Sequence, residues 1–428
     1  MRIKISAKNI IEDMNKVRDT VMQKKIAVFL LALLLALPLQ RFNGKAAAGL
    51  TDTARETLSA EAGPADRTAS GSSVVVTDLI GRETEVTPGS CRRVVCIGAG
   101  ALRMYCYIGD ISLLCGVEDI DNEALKNRPR MFDGIARPYM LAFGDRFTSL
   151  PSCGVGGPNA QSAEAEKILA CGAELVISAY EDVEKADALQ AQLGVPVITV
   201  AAGNDGVFDE KFFDSLRLLG RVFKREDRAE QLISFIEQEK QELRDRTETI
   251  PEEDRPAAYV CGLGNWGTTD HLYTAQQYSP FAAANVRNAA GGSEAGVRKI
   301  DAEKFEALGG SMDLMFIDAA AVKNIRPLYE ADPALFDSCK ACQNGEVYLQ
   351  MACNVYYTNF ETMLANTWYI AGTVYPEQFA DIDITEKTDE ITEAFLGVPL
   401  ADEIFACPGS FGGYGKIDPA VFFSDGIG

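Results

Sequence analysis

Short apolar runs alternate along this chain with longer stretches in which apolar residues recur every three or four positions. Arg92–Ile97, Leu113–Val117, Glu174–Ala179 and Pro196–Val200 read as buried strands with helix-compatible stretches between them. Ala257–Cys261 restarts the scheme and runs into the glycine-rich loop Gly262-Leu263-Gly264-Asn265-Trp266-Gly267. Runs that are apolar throughout, rather than alternating, belong to sheets covered on both faces, and strand–helix alternation favours parallel pairing. The expected fold class is α/β: two Rossmann-like lobes with mostly parallel sheets, joined by a single long bridging helix.

Two further patterns support two similar lobes. Ala165-Glu166-Lys167-Ile168-Leu169-Ala170 precedes the strand at Glu174–Ile177, and Ala302-Glu303-Lys304-Phe305-Glu306-Ala307 precedes the strand at Asp313–Phe316. Each is a helix, a glycine-bearing turn, an acidic residue and a buried strand, an internal echo of one unit. Between the halves, Ala229, Leu232, Ile233, Ile236 and Leu243 form one stripe at helical spacing, predicting a helix over about 226–247. Asp227 is its expected N-cap. Pro251 stops it, because the residue before a proline is pushed out of the helical region. Such a helix spans on the order of 30 Å and favours small rocking of the lobes over wide closure. The expected organisation is an export signal over 1–48, with Met22 as a possible true start, a tether over 49–73, an N-terminal lobe over 74–207, a helical bridge over 208–250, a C-terminal lobe over 251–396 and an extension over 397–428.

The N-terminal segment bears on location. Gln23-Lys24-Lys25 precedes the apolar run Ile26–Leu37, the charge and length pattern of a secretory signal. It is shorter than the roughly 20 residues a membrane span needs; an uncleaved anchor is the alternative. Ala46-Ala47-Ala48 is the candidate cleavage site, and residues 50–73 are small, polar and charged. The expected location is exported, periplasmic or at the cell surface, tethered or free.

Charge and rare residues narrow the chemistry. The 428 residues carry 41 Lys and Arg against 62 Asp and Glu, a formal charge of −21. So acidic a surface repels nucleic acid and anionic lipid. The 11 cysteines have no framework spacing, and Cys339-Lys340-Ala341-Cys342 is the only close pair. The one histidine, His271, excludes any His–His ligand set. No nucleophile elbow, P-loop or complete dinucleotide fingerprint occurs, so no enzymatic activity is expected, and no cofactor of the protein's own.

With these elements in place, the chain resembles the substrate-binding proteins of ABC importers for iron–siderophore, haem and vitamin B12 complexes. The resemblance rests on Arg92–Arg103, on the two helix–strand units at Ala165 and Ala302, and on the bridging helix, and covers about residues 75–395. It implies two α/β lobes with ligand bound between them, and delivery to a permease with its ATPase. It also implies docking through one surface glutamate on each lobe, at Glu166 and Glu303. Two carboxylates on separate lobes meeting basic pockets would set register as much as affinity. Gly98-Ala99-Gly100-Ala101-Leu102-Arg103 departs from the family's usual loop here, and so does the tail after Gly397.

Ligands of doubly wound sheets sit beyond the carboxyl ends of the strands, which selects four loops. Gly98, Gly100 and Arg103 form a tight turn able to present N–H groups and a guanidinium to an anion. Arg137–Arg146 brings Tyr139 and Arg146. Trp266–Tyr273 holds Trp266, as contact or loop plug, and His271, as ligand or core residue. Tyr356 and Tyr357 supply phenol oxygens suited to ferric iron, edges that stack on a macrocycle, or core packing. Arg298 is a further cation. The expected cargo is an iron complex, siderophore or haem, with cobalamin or another corrinoid second; a ligand sensor of the same fold is the rival role. The remaining expectations are a monomer and no metal held by the protein's own side chains.

Overall fold

The computed structural model describes residues 72–157, 160, 162–201 and 206–424, so the expected export signal and tether lie outside the described residues. The described chain opens with a hairpin of β1 (Val74–Thr77) and β2 (Glu83–Val86), antiparallel with Val74 opposite Val86. Glu83–Val86 alternates exposed and buried, the signature of a strand with one wet face. Arg82 fastens the hairpin by bonding Asp78 (3.1 Å) and the carbonyl of Val197 (2.9 Å).

The first lobe is a five-stranded parallel sheet. Its strands are β3 (Val94–Ile97), β4 (Leu114–Glu118), β5 (Ser152–Gly154), β6 (Leu175–Ser178) and β7 (Val197–Thr199), in the order β5-β4-β3-β6-β7. All four residues of β3 are buried, as a central strand covered on both faces requires. The second sheet contains β8 (Ala257–Cys261), while β9 (Tyr273–Ala275) stands outside it. The chain continues through β10 (Arg287–Asn288), β11 (Val297–Lys299), β12 (Leu314–Asp318), β13 (Val347–Gln350) and β14 (Gly415–Lys416). The second sheet has the order β10-β8-β12-β13-β14, parallel except for β14, and β9 pairs separately with β11. Two mostly parallel sheets with helical connections are the α/β architecture the hydrophobic pattern predicts. The echoed units are helices Ala165–Ala170 and Ala302–Gly309, leading into β6 and β12.

The bridging helix runs from Glu226 to Thr247, 22 residues, and buries Ala229, Leu232, Ile233, Ile236 and Leu243. Its N-cap is Arg225, not Asp227, and Arg225 makes no side-chain cap. Glu226 and Asp227 instead occupy the first turn, where a carboxylate favours the positive end of the helix dipole. Arg228 bonds the carbonyls of Tyr107 (2.9 Å), Ala394 (2.7 Å) and Phe395 (2.9 Å), joining the bridge to both lobes. Lys387 reaches Glu239 at 3.4 Å and lies 4.4 Å from the Trp368 ring.

Residues 398–424 are folded into the body. Gly415–Lys416 forms the antiparallel edge strand on β13, and helix Pro419–Ser424 brings Phe423 within 5.4 Å of Tyr329. Gly409 N–H donates to the carbonyl of Gly134 in the first lobe (2.8 Å). The described residues lie within one unit, Thr53–Gly428. Among them no helix is long and apolar enough to cross a membrane.

Candidate functional site

The carboxyl ends of the first sheet meet the loop that follows β13. β4 ends at Glu118, which is 5% exposed. Its carboxylate accepts from Gly98 N–H (3.0 Å) and from the phenol of Tyr356 (2.7 Å), 238 residues away. Gly157 N–H donates to the same phenol oxygen (2.8 Å). Three loops of the first lobe and one of the second therefore converge on one phenol–carboxylate pair. Burial pushes Glu118 up to about 7, against the opposing pull of the Gly98 and Tyr356 hydrogen bonds. Tyr356 is raised well above a free phenol, by burial first and by the Glu118 charge after it.

The Met351–Asn359 loop is shaped for this contact at a conformational cost. Tyr356 and Tyr357 both have left-handed backbone angles, φ 56° and 63°, which costs roughly 1–2 kcal/mol for each non-glycine residue. Arg103 holds the loop in place. Its guanidinium donates to the carbonyls of Thr358 (2.6 Å), Tyr356 (2.6 Å) and Val355 (3.1 Å), and its Nε to Asn359 Oδ1 (3.0 Å). Tyr107, one helical turn on, hydrogen-bonds to the buried Glu361 of the second lobe.

This arrangement corrects several residue expectations. Arg103 is 1% exposed with its donors engaged by protein, so it is a cross-lobe clamp rather than an anion receptor. Tyr139 is equally buried and donates to Asp121 (2.8 Å), which Arg137 also binds (2.6 Å). Arg146 is exposed in the last turn of helix Pro138–Phe147. That turn leads into the start of β5, away from the strands' carboxyl ends. His271 packs edge-on against Phe305 and Phe336, and burial lowers its pKa; it is a core residue. Arg298 is exposed on β11 and pairs with Glu294 (3.2 Å).

Other expected residues do gather here. Gly98 has φ 81° and Gly100 φ 92°, so glycine suits both; Gly98 meets Glu118, and Tyr180 lies beside it. Tyr357 is 39% exposed next to Tyr356. Trp266 N–H donates to Asn354 (3.2 Å), and its ring lies where a Cβ on Gly409 would stand, 2.8 Å away. Trp266 thus seats the C-terminal segment on the loop. The residue missed in the sequence is Glu118, an acid directly after a buried strand. A cavity of about 510 Å³ opens beside the bridging helix at Lys240, Arg244 and Ser279, not at this junction. Glu166 and Glu303 are both exposed in the first turns of their helices.

The comparisons with known proteins agree with this architecture. The profile described as periplasmic binding protein matches residues 146–350. No curated protein matches the chain by sequence. An ABC transporter solute-binding protein from Sulfurospirillum deleyianum is 19% identical with a TM-score of 0.54, over 77% of this chain and 97% of that one. A periplasmic solute-binding protein from Veillonella parvula gives 16%, 0.58, 82% and 99% in the same terms. The molybdate periplasmic binding protein of Haemophilus influenzae gives 15%, 0.57, 76% and 98%. The matched profile likens residues 146–350 to the periplasmic binding proteins, and the paired α/β sheets and bridging helix give the chain the fold of the solved solute-binding proteins.

Proposed function

We propose that the protein captures an iron complex, a siderophore or haem, at the junction of its lobes and delivers it to an ABC permease. The observation that carries this reading is the Glu118–Tyr356 pair, which joins the carboxyl end of β4 to the loop after β13. Carboxylate and phenolate oxygens are hard donors that suit ferric iron, whereas soft or imidazole-preferring metals call for thiolates or histidines. The only histidine is committed to a phenylalanine cluster. Tyr180 beside Gly98 and the part-exposed Tyr357 offer aromatic surface to a flat or bulky ligand. Cargo would take over the contact between Glu118 and Tyr356 as the lobes rock apart.

Titration of the folded protein, read by Trp and Tyr fluorescence, tests the cargo against ferric siderophores, haem, cobalamin and molybdate. The expected result is saturable quenching by one iron complex, weakened at least tenfold by Tyr356→Phe or Tyr357→Ala. Saturation by cobalamin or molybdate alone would overturn the iron reading and leave the solute-binding class standing.

A further inference from the structure

We propose that the cavity beside the bridging helix is a second binding site, separate from the cargo junction, for a small anion carrying two or more carboxylate or phosphate groups. The cavity measures about 510 Å³, and Lys240, Arg244 and Arg255 line it against a single carboxylate, Glu248. The chain as a whole has the opposite balance, 41 Lys and Arg to 62 Asp and Glu. The cavity therefore inverts the charge of the surface around it, and a local field of one sign draws in ions of the other.

These cations are not committed elsewhere. Nearby, Arg246 pairs with Glu242 (2.8 Å) and Asp381 (2.7 Å), and Arg217 with Glu230 (3.1 Å). Lys240, Arg244 and Arg255 enter no ion pair among the described residues. Lys240 is half-buried, its ammonium 5.5 Å from the centre of the Phe208 ring. Arg255 is half-buried too, and its Nε donates to the Ile250 carbonyl (3.1 Å), which fixes the guanidinium with its terminal nitrogens free to donate. A helix dipole favours a cation in the last turn, which accounts for Arg244 but not for Lys240 upstream of that turn or for Arg255 beyond the helix. Guanidinium forks match the geometry of carboxylate and phosphate groups. Phe208, Ala282 and Ala283 add an apolar wall that accommodates a carbon skeleton. The rim is held from behind: Asn285 Nδ2 donates to the Thr247 carbonyl (2.9 Å), and the Tyr375 phenol to the Asn285 carbonyl (2.7 Å).

The topology separates this site from the cargo junction. Arg255 and Asn285 precede β8 and β10, which pair in parallel with Arg287 opposite Ala257. That is the amino end of the second sheet, whereas Tyr356 stands in the loop after β13, at the carboxyl end. Phe208 follows β7 of the first lobe, so an occupant touches both lobes and the bridge, and its binding is linked to how the lobes sit.

Isothermal titration calorimetry of the folded protein uses two metal-free probes, tricarballylate for carboxylates and pyrophosphate for phosphates. The expected result is saturable binding of at least one probe, weakening as NaCl is raised; the probe that binds more tightly assigns the oxyanion. Arg244→Gln and Lys240→Gln should each weaken binding by about tenfold, the loss of one charge-assisted contact. Glu248→Gln should tighten it, and Tyr356→Phe should leave it unchanged. Arg244 is exposed and its side chain makes no hydrogen bond among the described residues, so its variant keeps the fold, and tryptophan emission checks each protein. Failure of both probes to saturate would overturn the proposal. Binding that survives both cation variants would do the same, and binding lost in Tyr356→Phe would overturn it by placing the anion at the cargo junction.

Discussion

The phenol of Tyr356 donates to the carboxylate of Glu118 across the meeting of the two lobes, at 2.7 Å. One partner ends a strand of the first sheet, and the other sits in a left-handed turn after a strand of the second. Each is about 5% exposed, so the bond, with Gly98 N–H on the carboxylate and Gly157 N–H on the phenol, keeps both buried polar groups paired. This ties the state of the carboxyl to the seating of the loop.

That tie makes stability depend on pH. Burial raises Glu118 from 4.5 to about 7, so the folded chain binds the proton more tightly than the unfolded one. The resulting stabilisation is complete below the unfolded value and is lost as pH rises through the folded one. Asp318, also raised to about 7 by burial, and Glu239 act in the same direction, so the single variant isolates the Glu118 share. Urea unfolding of Glu118→Gln and the parent should give a stability difference that moves in the variant's favour between pH 5 and 8, by at most about 3 kcal/mol. A difference independent of pH would refute the assignment.

Tyr356→Phe provides a second readout of the same contact. It removes the bond that holds Glu118 down, so the pH window should move upward. The variant also leaves the Gly157 N–H and one carboxylate oxygen without a partner, a loss of about 1–3 kcal/mol. A window that stays in place would mean that Tyr356 does not govern the carboxyl.

Arg103 should behave as a clamp. Arg103→Lys keeps the charge but cannot serve three carbonyls and Asn359 Oδ1 with a planar fork. Expected are a destabilisation of about 2–4 kcal/mol and new protease sensitivity at Tyr356–Tyr357, where the strained turn loses its support. An unchanged urea midpoint and an intact loop would return Arg103 to the role of a ligand contact.

These contacts show where sequence reading works and where it stops. The bridging helix was legible because its apolar stripe follows from helical periodicity alone, and the echoed units because each carries its own turn and strand. Arg103 reads as an anion receptor because a sequence displays a charge but not its partners, which lie 252 to 256 residues away. Glu118 was passed over for the same reason: nothing local marks a terminal strand acid as half of a cross-lobe pair. The edge strand Gly415–Lys416 has no pattern at all, and only pairing with β13 defines it.

Docking is tested by the glutamates. Glu166 and Glu303 occupy equivalent first turns on the two lobes, and both are exposed. Glu166→Ala with Glu303→Ala should abolish cargo uptake in vesicles carrying the permease while leaving solution binding unchanged. Uptake at the parental rate would remove both residues from the permease contact.

The last prediction concerns the bridge. Lys387 is buried between Glu239 of the bridging helix and the Trp368 ring, with side-chain exposures of 8% and 6% for the two charged residues. Burial holds Glu239 up at about 7, and Lys387 is the main force that lowers it. Lys387→Met leaves a carboxyl with its chief counter-charge removed, and the cost should be about 3–5 kcal/mol. It should also shift Trp368 emission, since the ammonium no longer lies over that ring. Adding Glu239→Met removes the orphaned acid and should regain most of the loss, because the penalty belongs to the unpaired charge rather than to the missing attraction. If the double variant is no more stable than Lys387→Met, the bridge is held by apolar packing at Leu232, Ile236 and Leu243, and the ion pair contributes nothing to joining the lobes.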